Sequence, residues 1–161
     1  MAQGAKPVPE GYRTVTPYLV VRGAAQAIDF YRRAFGAEEV TRSPALDGQR
    51  ILHAELKIGD SRIMLSDEFP DMGMGCRSPE ALGGTTAGIH LYVEDADATF
   101  ERARAAGATV SMPLMDMFWG DRYGKMMDPF GHEWSIATHV EDLSPGEQNR
   151  RARAAFAKVP G

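Results

Sequence analysis

The stretch YLVVRGAAQAIDFYRRAFGAEEV at Tyr18–Val40 returns later in the chain as HLYVEDADATFERARAAGATV at His90–Val110. The two copies are offset by 72 residues, and the offset falls to 71 after Phe35. Each copy opens with a short β-rich run, then a turn, then a helix whose apolar positions recur every three or four residues. Both helices stop at a glycine, Gly36 and Gly107, as expected where a chain leaves a helix through a left-handed residue. The repeat therefore predicts a strand, a turn and a helix in each copy.

Three further strands are predicted after each helix. In the first half they are EEVTRS, ILHAELKI and SRIMLS, with the turn Gly59-Asp60 between the last two. In the second half they are ATVSMP, RYGKMM and HEWSIAT, with the turn DPFG in the corresponding place. Each half has the order βαβββ, so the predicted fold class is α+β with two tandem βαβββ modules.

The repeat also sets the expected boundaries within one structural domain. We expect an N-terminal extension over 1–12, a first module over 13–66, a linker over 67–86, a second module over 87–139 and a C-terminal helix within 140–161. The linker is rich in Gly, Pro and Met, which is typical either of a lid or of a mobile surface connection. The helix is expected to run from the capping motif SPGE, at about Pro145, to Lys158.

The composition restricts the cellular compartment and the class of partner that we expect. The chain has 161 residues, of which 43% are hydrophobic and 25% charged, as in an ordinary globular domain. A net charge of -4 argues against a nucleic-acid partner held by phosphate contacts. Cys76 is the only cysteine, so no intrachain disulfide can form, and no export signal or membrane span is visible. We expect a cytoplasmic protein whose partners are a small molecule or another protein chain.

Several motifs carry a family resemblance, which covers about Arg13 to Thr138. They are TPYL, AIDFYRRAFGAEE, HAELKIGDSRIMLSDE and DMFWGDRYGKMMDPFGHEWSI. Together with the doubled βαβββ module, they resemble the vicinal oxygen chelate superfamily, also called the glyoxalase/bleomycin resistance/dioxygenase superfamily, and within it the PhnB-like branch. The resemblance implies two curved sheets that form a partly open barrel around a cavity, usually in a homodimer.

The metal-binding positions of this family are the main departure. Its metalloenzymes place His, Gln or Glu ligands on the first and last strands of each module, and the resemblance puts those positions at Thr16, Met64, Gly88 and Ser135. A thioether suits soft metals, hydroxyls bind divalent ions weakly, and glycine has no side chain. We therefore expect no metal and no other cofactor. Lactoylglutathione lyase and extradiol dioxygenase activities need the metal, so we do not expect either of them.

Strand alternation predicts that Ala54, Leu56 and Ile58 pack against the helices, whereas His53, Glu55 and Lys57 face the cavity or solvent. His53 and Glu55 share one strand face, and with His90 they are candidates for a displaced metal site or for acid–base catalysis. The alternative is that they are ordinary hydrogen-bonded histidines and a solvated carboxylate. The full set of predicted ligand-binding residues is Tyr18, His53, Met64, Ser66, His90, Tyr92, Phe118, Trp119, Arg122 and Tyr123.

The run Phe118 to Tyr123 is the second candidate. Phe118 and Trp119 beside Arg122 can form a platform for flat or anionic ligands through stacking and charge-assisted hydrogen bonds. The alternative is structural, with the two aromatic rings closing the barrel end and Arg122 paired with Asp121 or Glu133.

Two functional hypotheses follow. The first is a metal-free protein that binds a small planar or anionic organic molecule, as in drug or metabolite sequestration. The second is a lyase, isomerase or dioxygenase of the glyoxalase kind that uses a displaced metal or acid–base chemistry. A third hypothesis, a methyltransferase, rests on a family label alone and is disfavoured, since no glycine-rich nucleotide motif follows a strand. Whether the protein is an enzyme is left open by the sequence.

Overall fold

A computed structural model describes residues 4–73 and 75–157. The first module consists of β1 (Tyr18–Val21), α1 (Ala24–Phe35), β2 (Glu38–Pro44), β3 (Ile51–Ile58) and β4 (Ser61–Asp67). Its sheet has the order β1-β4-β3-β2, in which β1 and β4 are parallel and the other pairs antiparallel. The predicted order βαβββ is confirmed for this half.

The linker is tied to the first module at the start of a short helix, α2 (Pro79–Leu82), which the sequence did not predict. The Glu68 carboxylate accepts a hydrogen bond from the Ser78 backbone N–H at 2.9 Å and pairs with Arg22. The Ser78 N–H and, after it, Arg22 together lower the pKa of Glu68 to about 2 against the opposing effect of burial. Arg22 also contacts Glu80 at 3.0 Å, so this part of the linker is held by charge-assisted bonds.

The second module repeats the first. It consists of β5 (Gly88–Tyr92), α3 (Ala96–Ala106), β6 (Thr109–Asp116), β7 (Asp121–Met127) and β8 (Glu133–His139). The sheet order is β5-β8-β7-β6, again with one parallel pair, β5 and β8. Two four-stranded sheets with helices confirm the predicted α+β class, and they form no closed barrel.

A side chain of the last strand caps the start of the long helix in each module. Asp67, at the end of β4, accepts hydrogen bonds from the backbone N–H groups of Gly23 and Ala24 at 2.8 and 2.9 Å. Thr138, at the matching place in β8, accepts one from the Ala96 N–H at 2.8 Å. A side chain of the last strand thus satisfies free N–H groups at the start of each helix, which locks helix to sheet.

One core joins the two modules, and the helices α1 and α3 lie inside it. Tyr31 and Phe35 of α1 pack on Trp134 of β8, with ring centroids 5.2 and 4.6 Å apart. The Tyr31 hydroxyl donates to the buried Asp128 carboxylate at 2.7 Å, and the Trp134 indole N–H donates to it at 2.9 Å. Because the helix-bearing surfaces of both sheets meet here, their opposite surfaces point outward.

These outward surfaces are called here the first face and the second face. The first face belongs to the sheet β1-β4-β3-β2 and the second to β5-β8-β7-β6. Tyr18 on the first face is 49% exposed, and Tyr92 on the second is 64% exposed. On the other side of the sheets, Ala54, Leu56 and Ile136 are fully buried, as strand alternation predicted for Ala54 and Leu56.

The C-terminal helix α4 (Pro145–Phe156) begins as expected, with the Ser144 hydroxyl accepting the Glu147 N–H at 3.3 Å. The predicted end at Lys158 lies outside the described residues. Two bonds of 2.7 and 2.8 Å from Arg151 to Glu141 hold α4 to the chain that follows β8. Within the described parts of the chain, no helix has the length and apolar character needed to cross a membrane.

Candidate functional site

The first face carries a short polar chain across its strands. The Tyr18 hydroxyl lies 3.2 Å from His53 Nδ1, and His53 Nε2 lies 3.5 Å from a Glu55 oxygen. Arg62 contacts the same carboxylate at 3.5 Å. The pKa of Glu55 lies below its ordinary value because of the nearby Tyr12 hydroxyl and, after it, His53 and Arg62, whereas burial acts in the opposite direction. The Tyr12 hydroxyl approaches Glu55 without the geometry of a full hydrogen bond.

The second face brings His90 together with a serine and two tyrosines. His90 Nδ1 lies 2.7 Å from the Ser135 hydroxyl oxygen, across the parallel pair β5–β8. The His90 ring is nearly parallel to that of Tyr123, with centroids 5.9 Å apart, and meets the Tyr92 ring edge-on at 4.5 Å. Burial among these groups lowers the pKa of His90, with Asp121 opposing the shift. His90 is therefore mainly neutral at neutral pH.

Asp121 is the buried anchor of the second face, with 3% of its surface exposed. Its carboxylate accepts the Tyr92 hydroxyl and the Trp119 indole N–H, both at 2.9 Å, and faces His139 Nδ1 at 2.8 Å. Burial alone would raise the pKa of Asp121, but the bonds from His139, Tyr92 and Trp119 outweigh it and leave the pKa below its ordinary value. This role of Asp121 could not be predicted from the sequence, because Tyr92 and His139 come from other strands.

A tight turn presents Trp119. Gly120 follows it with φ of +98°, and a Cβ at Gly120 would lie 2.2 Å from the backbone oxygen of Glu141. Only glycine fits there, since a side chain would clash with backbone. The Gly120 carbonyl accepts the N–H groups of Val140 at 2.9 Å and Glu141 at 3.0 Å, which fixes the turn against the end of β8.

The turn and the strands together form an aromatic surface. The Trp119 ring contacts Tyr123 edge-on at 5.3 Å and Phe118 at 5.0 Å. Phe118 also contacts Phe156 of α4 at 5.8 Å, on the side of an open cavity of about 690 Å³. The predicted cluster of Phe118, Trp119 and Tyr123 is therefore present, with Phe118 directed toward the C-terminal helix.

Arg122 does not join this cluster. Its guanidinium makes two bonds to Asp97 at the start of α3, at 2.5 and 2.6 Å, and a third to Asp116 at 3.3 Å. Neighbouring residues of a strand point to opposite surfaces, so Arg122 and Tyr123 of β7 cannot share a face. Both expectations for Arg122 are corrected: it is not beside Trp119 as a charge partner, and its carboxylate partners are neither Asp121 nor Glu133.

A basic residue that does lie on the second face is Lys125. Its ammonium group contacts the Glu133 carboxylate at 2.9 Å, which raises the pKa of Lys125. Alternation from Tyr123 would have indicated Lys125 from the sequence. The pair is intramolecular, so it adds little net charge to the face.

The expected single cavity is divided between two surfaces. Among the residues that the structure describes, no hydrogen bond or ring contact joins the polar chain of the first face to the aromatic cluster of the second. The physical reason is the packing of α1 and α3 between the sheets. The first-face members are Tyr18, His53, Met64 and Ser66, and the second-face members are His90, Tyr92, Trp119 and Tyr123.

Two cavities lie beside these faces. A cavity of about 410 Å³ opens beside the first face, between the β1–β4 pair and the linker, lined by Tyr18, Val20, Ser66, Phe69 and Cys76 among others. A second cavity of about 490 Å³ lies at the free edge of β5, where His90 and Tyr92 of the second module share its wall with Thr16 and Arg62 of the first. Both are within the size range of small-molecule sites.

The family's metal-binding positions do not fit a metal in this chain. The Thr16 hydroxyl donates to the Arg13 carbonyl at 3.4 Å, and Ser135 is engaged with His90. At Gly88 a Cβ would lie 3.3 Å from a carboxylate oxygen of Glu133, so that side chain occupies the space of the missing ligand. Among the described residues, no three His, Cys, Asp or Glu side chains lie close enough to hold an ion, which corrects the displaced site at His53, Glu55 and His90.

Comparison with known families identifies the fold. The model of the Glyoxalase/Bleomycin resistance protein/Dioxygenase superfamily matches residues 13–136. The chain belongs to this superfamily. An uncharacterised protein of Mycobacterium bovis is 49% identical over 134 residues, which is 83% of this chain and 88% of that protein. The protein YjdN of Escherichia coli is 30% identical over 142 residues, 76% of this chain and 92% of YjdN.

Solved structures agree with this superfamily assignment. TioX from Micromonospora sp. ML1 superposes with a TM-score of 0.61 at 29% identity, over 80% of this chain and 99% of TioX. A PhnB protein from Bacillus cereus gives a TM-score of 0.59 at 19% identity, over 78% of this chain and 99% of its own, which supports the fold. The expected resemblance to the superfamily is confirmed, and the PhnB protein shares the fold.

Proposed function

We propose that this glyoxalase superfamily protein binds a small planar organic molecule on the second face, without a metal ion. The observation that carries the proposal is the Asp121 anchor, which fixes the Trp119 indole and the exposed Tyr92 phenol at once. A ring held in advance loses little conformational freedom when a ligand stacks on it. His90 and Tyr123 extend the same surface with nearly parallel rings.

The charges of the second face favour a ligand without a strong negative charge. Arg122, the expected anion partner, is engaged with Asp97 and Asp116 on the other side of β7. Lys125 is already neutralised by Glu133. Stacking and hydrogen bonding therefore carry the recognition, and we keep the planar part of the expected ligand rather than the anionic part.

Sequestration of a toxic compound or metabolite is the role that such a site supports. It needs shape and stacking but no nucleophile. A structural neighbour from Listeria monocytogenes, 17% identical with a TM-score of 0.60, is described as a fosfomycin resistance protein in complex with Mn(II) and sulfate. This chain lacks matching metal ligands at its own family positions, so its mode of binding differs.

Metal-free acid–base catalysis is the second candidate function, and the contact between His90 Nδ1 and the Ser135 hydroxyl favours it. A histidine whose lowered pKa leaves it neutral can accept a proton from a bound substrate. Such chemistry would suit an isomerase or lyase. The His90→Gln variant separates the two candidates, because it would abolish turnover but leave stacking on Trp119 intact.

Ligand binding is tested by a thermal-shift screen of planar aromatic compounds, followed by calorimetry on each hit. Trp119→Ala should weaken binding roughly tenfold to a hundredfold, and Trp119→Phe should retain part of the affinity. Phe118→Ala is the matched control, since its ring faces α4 and its loss should leave affinity close to that of the wild type. Unchanged affinity in a folded Trp119→Ala variant would contradict the proposal.

We further propose that the protein is a cytoplasmic homodimer. Within the described residues, each sheet ends in strands with an unpaired edge, β1 and β2 in one and β5 and β6 in the other. Exposed edges and exposed aromatic side chains such as Tyr18 and Tyr92 are protected most simply by a second copy. Light scattering at about tens of micromolar should give the mass of a dimer. The mass of a single chain would contradict this.

A further inference from the structure

Cys76, the only cysteine of the chain, lies at a cavity that the proposed ligand site does not use. This is the cavity of about 410 Å³ between the β1–β4 pair and the linker. Its wall includes the rings of Tyr18 and Phe69 and the side chain of Val20, so much of it is apolar. A flat organic molecule fits such a cavity in size and in character. The exposed thiol of Cys76 therefore borders an apolar cavity instead of open surface.

The linker is fixed on both sides of Cys76. Before it, the buried Phe69 ring lies under the Arg50 guanidinium, whose carbon is 4.4 Å from the ring centroid. The same guanidinium makes two hydrogen bonds to the Asp71 carboxylate, at 2.8 and 3.1 Å. After it, Ser78 is fully buried and caps the start of α2. These contacts hold the linker beside the β1–β4 pair and determine the position of the thiol.

The same cavity contains a buried hydroxyl group that lacks a partner. Ser66 of β4 lines the wall and is 7% exposed, and among the residues that the structure describes its hydroxyl makes no hydrogen bond. The oxygen is still reachable, because the Tyr12 hydroxyl is the only unpartnered side-chain group sealed inside the described part of the chain. The neighbouring Asp67 is already occupied by three backbone N–H groups. Buried hydroxyls normally have a partner, so a polar atom of a ligand is the partner that fits Ser66.

We infer that this cavity binds planar electrophiles and that Cys76 forms a covalent bond with them. The ligand class is an α,β-unsaturated carbonyl compound that carries an aromatic ring. The ring packs against Tyr18 and Phe69, the carbonyl oxygen accepts a hydrogen bond from Ser66, and the β-carbon faces the thiol. The site does not depend on the second face, and it adds covalent capture to the reversible binding proposed there.

The reaction is a conjugate addition, which needs neither an oxidant nor a reductant. The Cys76 thiol gives its proton to water, and the thiolate sulfur forms a bond to the β-carbon. The π electrons of the C=C bond move to the carbonyl oxygen, which becomes an enolate oxygen stabilised by the Ser66 hydroxyl. The α-carbon then takes a proton from water, and the carbonyl group is restored. In total, the sulfur and one hydrogen are added across the double bond.

The test follows adduct formation by intact-protein mass spectrometry with benzylideneacetone, a planar aromatic enone. The rate should level off as the enone concentration rises, because binding precedes bond formation. It should exceed the rate of N-acetylcysteine at the same pH and enone concentration by at least about tenfold, since the cavity positions the β-carbon at the thiol. Benzylacetone, which lacks the conjugated double bond, should slow the reaction by occupying the cavity. Cys76→Ser should form no adduct.

Two serine variants separate the contribution of the cavity from that of the thiol. Ser66→Ala should slow the reaction with benzylideneacetone about fivefold, which corresponds to the loss of one hydrogen bond. Ser43→Ala, on the exposed strand β2, is the matched control and should react like the wild type. Iodoacetamide is small and has no enone to position, so the wild type and both variants should react with it equally. Equal rates also show that the linker is intact in Ser66→Ala.

Three results would overturn the inference. The first is a rate that rises linearly with enone concentration, equals that of N-acetylcysteine and is unchanged by benzylacetone, as for an ordinary surface thiol. The second is a Ser66→Ala variant that reacts with the enone as fast as the wild type. The third is a wild type that does not react with iodoacetamide, because its thiol would then be covered. Binding on the second face is measured in the Trp119 series, so the proposed function can fail or succeed independently.

Discussion

At the residue scale, Asp121 fixes more side chains of the candidate site than any residue identified from the sequence. One buried carboxylate fixes a tryptophan from the β6–β7 turn, a tyrosine from β5 and a histidine from the end of β8. Trp119 was recognisable as an aromatic residue beside a glycine, but its orientation depends on this carboxylate. The second face is rigid where these three side chains meet.

Replacing Asp121 with alanine should destabilise the fold by about 2–3 kcal/mol, because it leaves three donors without their buried acceptor. The fluorescence of Trp119 should also shift as the indole N–H loses its partner. Urea unfolding and emission spectra measure both effects. Asp142→Ala is the control, since that fully exposed carboxylate also contacts His139, at 2.9 Å, and its loss should leave the stability close to that of the wild type. Equal effects of the two variants would contradict the role assigned to Asp121.

His139 gives a prediction about pH. Asp121 first and Asp142 second raise its pKa above the ordinary value of 6.5. Stabilisation by a group with a raised pKa is complete below the unfolded value and is lost as pH rises through the folded value. The difference in melting temperature between the wild type and His139→Gln should therefore be larger at about pH 5.5 than at about pH 9.

His90 is the matched control with the opposite sign. Its pKa is lowered by burial, so the stability it contributes is present above 6.5 and is lost as pH falls. The difference between the wild type and His90→Gln should shrink toward low pH. The same pH trend in both variants would show that neither histidine has the environment described here.

At the scale of elements, the last strand of each module organises the helix that precedes it. Asp67 accepts three backbone N–H groups, those of Gly23, Ala24 and Ile51, the last at 2.7 Å. Thr138 accepts the N–H of Ala96 alone. The repeat thus preserves the capping role while the chemistry changes from a carboxylate to a hydroxyl.

Asp67→Ala should lower the free energy of unfolding by about 2–3 kcal/mol, and Thr138→Val by about 1 kcal/mol, in proportion to the N–H groups left unpaired. Chemical denaturation of both variants gives the comparison. Asp67→Asn should recover part of the loss because the amide oxygen is still an acceptor. If Thr138→Val proves the more damaging variant, the proposed equivalence of the two caps is wrong.

At the scale of the whole molecule, the chain retains the fold of its superfamily without the side chains that bind metal. We expect purified protein to contain no stoichiometric zinc, nickel, iron or manganese at Thr16, Met64, Gly88 and Ser135. Elemental analysis of protein prepared without chelator checks this. About one tightly held divalent ion per chain, lost on substituting Met64 or Ser135, would contradict it.

The sequence by itself determined the elements and the module order. Strand alternation and helical periodicity are local properties, so the repeat predicted eight strands, both long helices, the buried side of β3 and the start of α4. The same alternation separates Arg122 from Tyr123, so Arg122 cannot be the charge partner of a ligand on the second face. The residues at the four metal-binding positions of the family could also be identified from the sequence, because this requires only the residue types and the offset of the repeat.

Only the tertiary structure decided which surfaces meet. Whether α1 and α3 lie between the sheets depends on the packing of Tyr31 and Phe35 against Trp134, which joins residues about a hundred positions apart. That packing turns both faces outward and divides the expected cavity into two half-sites. The Asp121 anchor likewise needs β5, the β6–β7 turn and β8 in one place. Contacts between distant residues leave no periodic pattern along the chain, so they could not be predicted from it.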